Sequence, residues 1–347
     1  MPQAPDNGSN RWLDLTASLY NRYIPMKFRS VIQSSVVSLL AVASLSAQST
    51  PAPAKASAPA SKAGPVPRAK DGHPDLSGIW NNATRTPFER PAVFEGKATI
   101  SDEEARKWEA RENQRWEEGS KIDGGRPVTI EGGAYNVLFY DNGSELARIG
   151  GQKRTSMVVD PPDGHVPPML PEARERLQRR RTIIPGDYKS LSADTRCLVG
   201  NTPSVPLVPA LYNNNIEIVQ SADSILIEVE MVHDARIVHI STKHQPENVR
   251  QWFGDSVGHW EGDTLVVETT NFNDQTHYRG STKNLKVTER FTRVSEKTIE
   301  YRATMEDSST WTKPWSIELA FASVPGPLYE YACHEGNYAI KGILDAK

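Results

Sequence analysis

The chain has 347 residues, with 40 Lys and Arg set against 43 Asp and Glu for a formal net charge of -3 at pH 7. That length supports one large domain or two small ones, and so even a charge balance argues against nucleic acid as a partner. Two cysteines cannot supply a zinc-ligand spacing.

Residues 1–25 are polar and read as an upstream extension. From Met26 the chain runs through Lys27 and Arg29 into the apolar stretch Val36-Val-Ser-Leu-Leu-Ala-Val-Ala-Ser-Leu45 and then Ser46-Ala-Gln48. A basic start, a short apolar centre and a small-residue exit predict a signal peptide over residues 26–47 and a periplasmic or secreted protein. The apolar stretch is too short to span a bilayer, so no stable membrane insertion is expected after cleavage. Residues 48–70, rich in Ala, Pro and Ser, form a predicted linker. The folded part is expected to be a single β-rich domain over 71–347.

The first predicted strand is 75–80. Ser101 and Glu104 are spaced as a capping box, which opens a helix reaching residue 118 with Trp108 and Trp116 on roughly one side. Residues 124–209 are rich in Gly and Pro and predict a long, ordered loop region of the kind that covers sites. Within it a strand is expected at 155–159. Pro171 opens a short helix whose basic run 174–181, interleaved with acids, reads as a solvated face.

After Tyr212 the pattern becomes a β-meander. Ser224 to Ile240 alternates with period two, placing Ile225, Ile227, Val229, Met231 and His233 on one face of a predicted single strand. Hairpins follow at 256–272 and 285–306. Trp315, Ile317, Leu319 and Phe321 repeat the alternation, and 329–333 is expected to be the last strand. Consecutive antiparallel strands remove their edges by curling shut. The expected fold is therefore mainly β, an antiparallel meander closing into a lipocalin-like barrel, with a few short helices and long ordered loops. A two-sheet sandwich is the alternative.

The candidate chemistry gathers at strand ends. His233, expected to point inward from an apolar face, is the candidate proton-transfer group. His259, His334 or Glu335 are its candidate complements, and Asp255 or Glu335 would supply an opposing carboxylate. Asp234 and Arg236 share a face and are expected to pair, with Arg236 either structural or holding an anionic group of a substrate at the rim. Tyr212, Asn214, Trp260, Asn337 and Tyr338 add aromatic and amide binding groups. The plainer reading of the asparagines is turn formation, and that of Trp260 is hairpin packing.

His233 and His239 share a face, but six residues of strand hold them roughly 20 Å apart, so no metal site is expected. There is no Gly-rich loop opening a helix, no Gly-x-Ser-x-Gly and no His-Glu-x-x-His. No cofactor is expected. Export favours a disulfide between Cys197 and Cys333.

In Asp75-Leu-Ser-Gly-Ile-Trp80, His233-Asp-Ala-Arg236, His259-Trp-Glu-Gly-Asp-Thr-Leu-Val-Val267, Glu306-Asp-Ser-Ser-Thr-Trp-Thr-Lys-Pro-Trp315 and Tyr331-Ala-Cys-His-Glu-Gly-Asn-Tyr338 the chain resembles a large family of exported bacterial proteins abundant in soil acidobacteria. The resemblance covers most of the chain after the linker. It implies export and a single domain, and it carries no reaction or site residues. Two functions follow from the residues: an exported enzyme using acid/base chemistry on a small molecule (a lyase, isomerase, cyclase or hydrolase), or a non-catalytic barrel binding a hydrophobic or glycan ligand.

Overall fold

The computed structural model describes residues 65–119, 122–123, 126–127, 140–200, 204–275, 278–335 and 337–345. The predicted extension, the signal peptide and linker residues 48–64 lie outside the described residues. Before the main meander come β1 (Gly78–Asn81), β2 (Thr99–Ile100) and α1 (Asp102–Gly119). The short strands β3 (Ile122–Asp123), β4 (Arg126–Pro127), β5 (Arg148–Ile149), β6 (Gln152–Arg154) and β7 (Val158–Asp160) follow. After α2 (Pro171–Arg181) the chain enters β8 (Asn215–Gln220), β9 (Ser224–Val229) and β10 (Asp234–Ile240). It continues through β11 (Asp255–Glu261), β12 (Thr264–Thr270), β13 (Lys286–Ser295), β14 (Thr298–Glu306) and β15 (Trp315–Ser323), and α3 (Ala339–Asp345) is the last element.

The nine strands β1 and β8–β15 pair in that order, and β15 pairs back to β1, closing a barrel. An odd ring cannot alternate direction throughout, so at least one neighbouring pair has to be parallel. That pair is β10–β11, with Val238 opposite Ser256 and Ile240 opposite Gly258. Residues 241–254 carry the chain back along the barrel between them, as a parallel pairing requires. The free part of the β15 edge is taken by β7, through Ser316 and Ile317.

Inside the barrel, Trp80, Phe291, Tyr301, Trp315 and Phe321 are all at most 1% exposed. Phe291 and Tyr301 lie 5.1 Å apart, and Tyr301 and Phe321 lie 4.9 Å apart. Truncating any one of these rings to alanine is expected to cost about 3–5 kcal/mol. Beside the barrel, β2, β6 and β5 form a small sheet. Helix α1 packs near it through Ala105 and Trp108 against Phe94, Ile100 and Leu146. The capping box is formed: Glu104 N–H donates to Ser101 Oγ at 3.2 Å and Ser101 N–H donates to Glu104 Oε2 at 3.1 Å. No helix among the described residues is long and apolar enough to cross a membrane.

Three expectations need correction. The predicted strand 224–240 is a hairpin, because the chain turns through a short 3-10 segment at Met231–His233, where Val232 and His233 take positive φ of 61° and 54°. Crossing the turn shifts the parity of the alternation. Asp234, Arg236 and Val238 therefore continue the inward face, and His233 is exposed. The predicted strand 329–333 is irregular. Pro325 and Pro327, just before it, have no N–H to donate to a ladder, and β15 already closes on β1. Finally, the end of the linker joins the fold: Arg68 donates both terminal nitrogens to the Asp263 carboxylate, at 2.6 and 2.7 Å.

Candidate functional site

The registers sort the connections between two ends of the barrel. Turns 221–223, 262–263 and 296–297 are short and share one end. The β9–β10 turn and the longer connections 271–285 and 307–314 share the other, the loop end. There α2 docks on both long connections. Arg176 donates to the carbonyls of Gly280 and Ser309 and to Thr310 Oγ1, and Arg180 donates to those of Ser281 and Asp274. The basic run of α2 is thus solvated on one side only.

Two polar constellations lie behind this end. The first is inside the barrel. Arg236 Nη2 meets Glu289 Oε1 at 2.8 Å, with side chains 3% and 0% exposed. Tyr301 donates its hydroxyl to the same carboxylate at 2.8 Å and accepts the N–H of Leu207 at 2.9 Å. Ser256 and Thr269, 2.8 Å apart, complete the group beside Arg236. Burial pushes the Glu289 carboxyl above its ordinary range, while the Arg236 charge and the two hydrogen bonds work against that rise. Burial, and then the charge of Glu289, hold the Tyr301 hydroxyl protonated well above its ordinary value. Such a pair stabilises little in net terms, because desolvation offsets attraction, but losing one partner strands the other charge.

The second constellation is a cleft built by α2, residues 182–200, residues 274–275 and 278–280, and α3. It consists of two adjoining cavities of about 480 and 810 Å³, which share Arg180, Ser190, Leu191, Ser192 and Asp194. Local hydrogen bonds shape its wall. Asp187 caps the 3-10 turn Tyr188–Ser190 by accepting from Lys189 N–H, and Ser190 Oγ accepts from Ile184 N–H at 2.8 Å. The wall is then tied to the C-terminal tail by the Cys197–Cys333 disulfide, which joins residues 136 apart in sequence. Ile343 of α3 borders the larger cavity. Just behind the wall sits Asp234, 4% exposed, accepting the N–H of Gly200 at 2.7 Å. Burial pushes its carboxyl up to about 7, with the Gly200 hydrogen bond acting in the other direction. Gly200 itself lines the smaller cavity.

The predicted site residues do not converge. His233 is exposed in the β9–β10 turn, where its Nε2 accepts from Tyr331 N–H at 3.1 Å. That contact does bring the tail motif to the His233-Asp234 motif. His334 and Glu335 are exposed in the tail beside the disulfide, Asn337 donates to Cys197 Sγ at 3.4 Å, and Tyr338 is 86% exposed. His259 is exposed near the opposite end, 3.2 Å from Glu261. Trp260 stacks on His73 at 4.5 Å. Asp255 holds His244 at 2.7 Å instead.

The expected Asp234–Arg236 pair is replaced by Arg236–Glu289, because Arg236 reaches across the barrel while Asp234 takes a backbone N–H. Asn214 is buried just before β8, bonded to the backbone of Ala210 and Asp141. Tyr212 is half-buried in the segment leading to β8. No group of three or more His, Cys, Asp and Glu side chains among the described residues is placed to hold a metal ion.

Glu289 and Tyr301 were missed although a signal existed: Glu289 falls between Val287 and Phe291 on one face of the alternation. The cleft residues had no such signal, since they come from irregular segments. In comparisons with known proteins, no family model and no curated protein significantly matches the chain.

Proposed function

We propose that this is an exported small-molecule protein, related to the family its motifs resemble, whose ligand occupies the cleft at the loop end. One observation carries this reading. The cleft combines solvent access, an apolar lining and charged side chains within two adjoining cavities, whereas the charges inside the barrel are already committed to each other. Cavities of this size suit small organic molecules. The disulfide and the predicted signal peptide support export to an oxidising compartment. The scattered histidines favour binding over the histidine-based proton transfer expected from the sequence.

The test is to fill the cleft. Ser192 is exposed and borders both cavities, so Ser192→Trp occupies the space without disturbing the barrel. A fragment screen by crystallography is expected to place fragments in the cleft of the wild type and not in that of the variant. Fragments that bind elsewhere and are indifferent to the substitution would refute the site.

Acid/base catalysis is the second reading, and Asp234 is the observation that favours it. A carboxyl that titrates at about 7 behind the cleft wall has the proton affinity a general acid or base needs near neutrality. Once a turnover is found, Asp234→Asn should abolish it. Unchanged turnover in that variant would leave binding as the function.

A further inference from the structure

We infer that the cleft ligand is an organic monoanion, a carboxylate on an apolar body, with its charged group among Arg180, Arg181 and Arg279. This rests on the cleft being the ligand site.

The charges around the larger cavity are unbalanced. Its border carries three arginines (Arg180, Arg181 and Arg279) against a single carboxylate, Asp194. Among the described residues none of the three has a carboxylate partner within 4.0 Å. Three exposed arginines elsewhere on the protein do have carboxylate partners: Arg68 has Asp263, Arg148 has Asp102 and Arg290 has Glu261. Arg180 is further set apart. Desolvation is the largest influence on it and lowers its pKa, the nearby Arg176 adds to that, and the charges of Asp274 and Asp307 act in the other direction. A cation in that position is stabilised by an incoming anion, and a guanidinium pairs with a carboxylate through strong, charge-assisted hydrogen bonds.

The body of the ligand follows from the rest of the lining. Phe88, Leu177, Leu191, Val208 and Tyr278 border the same cavity, and the Arg279 guanidinium lies 4.4 Å above the Phe88 ring. An apolar body resting on this floor would place its carboxylate beside that guanidinium.

Tyr278 gives an independent indication. It is only 7% exposed, and its hydroxyl has no hydrogen-bond partner among the described residues. A buried hydroxyl without a partner is costly, and a carboxylate oxygen would accept from it. At the smaller cavity Arg196 Nε is likewise buried and unpartnered. A neutral glycan would leave the arginine excess unanswered, and a large polyanion would not use the enclosed apolar floor.

The experiment measures, by isothermal titration calorimetry on the oxidised chain, the affinities of decanoate and naphthoate, each paired with its primary amide. The wild type, Arg181→Gln/Arg279→Gln, Tyr278→Phe and Ser192→Trp are compared. Arg181 and Arg279 are exposed, so their removal leaves folding intact, which circular dichroism verifies. The acids are expected to bind more tightly than their amides. The double arginine variant should lose about 10- to 100-fold for the acids and little for the amides, with a weaker salt dependence. Tyr278→Phe should show a smaller loss, larger for the acids than for the amides.

Equal affinities for acid and amide would overturn the inference while leaving the cleft as the site, provided Ser192→Trp blocks both. An acid preference that survives the double substitution would also overturn it, since the charge would then be read elsewhere. If neither acids nor amides bind, or if Ser192→Trp changes nothing, the cleft reading fails and the inference with it.

Discussion

Asp234→Asn probes the wall of the cleft through the pH dependence of folding. The folded protein holds the Asp234 proton up to about 7, whereas an unfolded chain releases it near 3.9. Between those values the native state binds more protons than the unfolded state, so this group makes stability fall as pH rises. Its contribution is fully present below about pH 4 and is lost as pH climbs through about 7. A displacement of about three units at 1.36 kcal/mol each amounts to roughly 4 kcal/mol. Asparagine keeps an oxygen for the Gly200 N–H and cannot ionise. The variant should therefore resemble the wild type at low pH and exceed it by roughly 4 kcal/mol at pH 8. Urea unfolding of both proteins at pH 4.5, 6 and 8, with the disulfide intact, reads the difference directly, because other titrating groups cancel between them. Parallel pH profiles would refute the reasoning and show that the Asp234 carboxylate is solvated after all.

Arg236→Met should cost about 3–5 kcal/mol by stranding the Glu289 charge inside the barrel. Arg236→Met/Glu289→Gln should cost less than the two single changes added, measured by urea unfolding; strict additivity would mean the pair is not coupled. Thiol titration of the unfolded but unreduced chain should find no free cysteine. Reduction should lower stability by about 2–5 kcal/mol, and two reactive thiols before reduction would contradict the bond. Gly258→Ala should destabilise the barrel, because the added methyl would lie 2.8 Å from Val238 Cγ1 across the parallel pair. A melting temperature unchanged by that substitution would mean the β10–β11 packing is looser than described.

Where the fold was legible in the sequence, the cause was period-two alternation bounded by turn residues. The hairpin β11–β12 turns at Gly262, with φ of 59°, and β13–β14 turns just past Ser295, both as expected. Alternation misleads where a turn carries no turn residue. Nothing in Glu230-Met-Val-His233 announces a reversal, and Val232 is β-branched, the type of residue least suited to its positive φ of 61°. An apolar residue in the turn extended the alternation straight through it. The odd strand count was hidden for a related reason: residues 241–254 read as an ordinary connection, and nothing local distinguishes a hairpin loop from a return along the barrel.

That one missed turn also explains why the candidate site shifted. With parity kept through residues 230–233, the inward ionisable group is His233. With parity reversed, Asp234 and Arg236 face in, and an arginine directed into a barrel demands a buried anion. Glu289, between Val287 and Phe291, supplies it at an inward position of β13. The polar interior was therefore recoverable from the sequence by asking which charged residues interrupt an apolar face on more than one strand. The cleft was not recoverable in this way. Arg180 comes from a helix, Ser192 and Asp194 from a wall held by a disulfide, and Tyr278 and Arg279 from the β12–β13 connection. Their juxtaposition depends on how α2 hydrogen-bonds to loop carbonyls, and carbonyls leave no trace in side-chain pattern. A closed barrel with a filled interior leaves recognition to its loops, and in this chain long loops meet at one end with three arginines that have no carboxylate partner among the described residues.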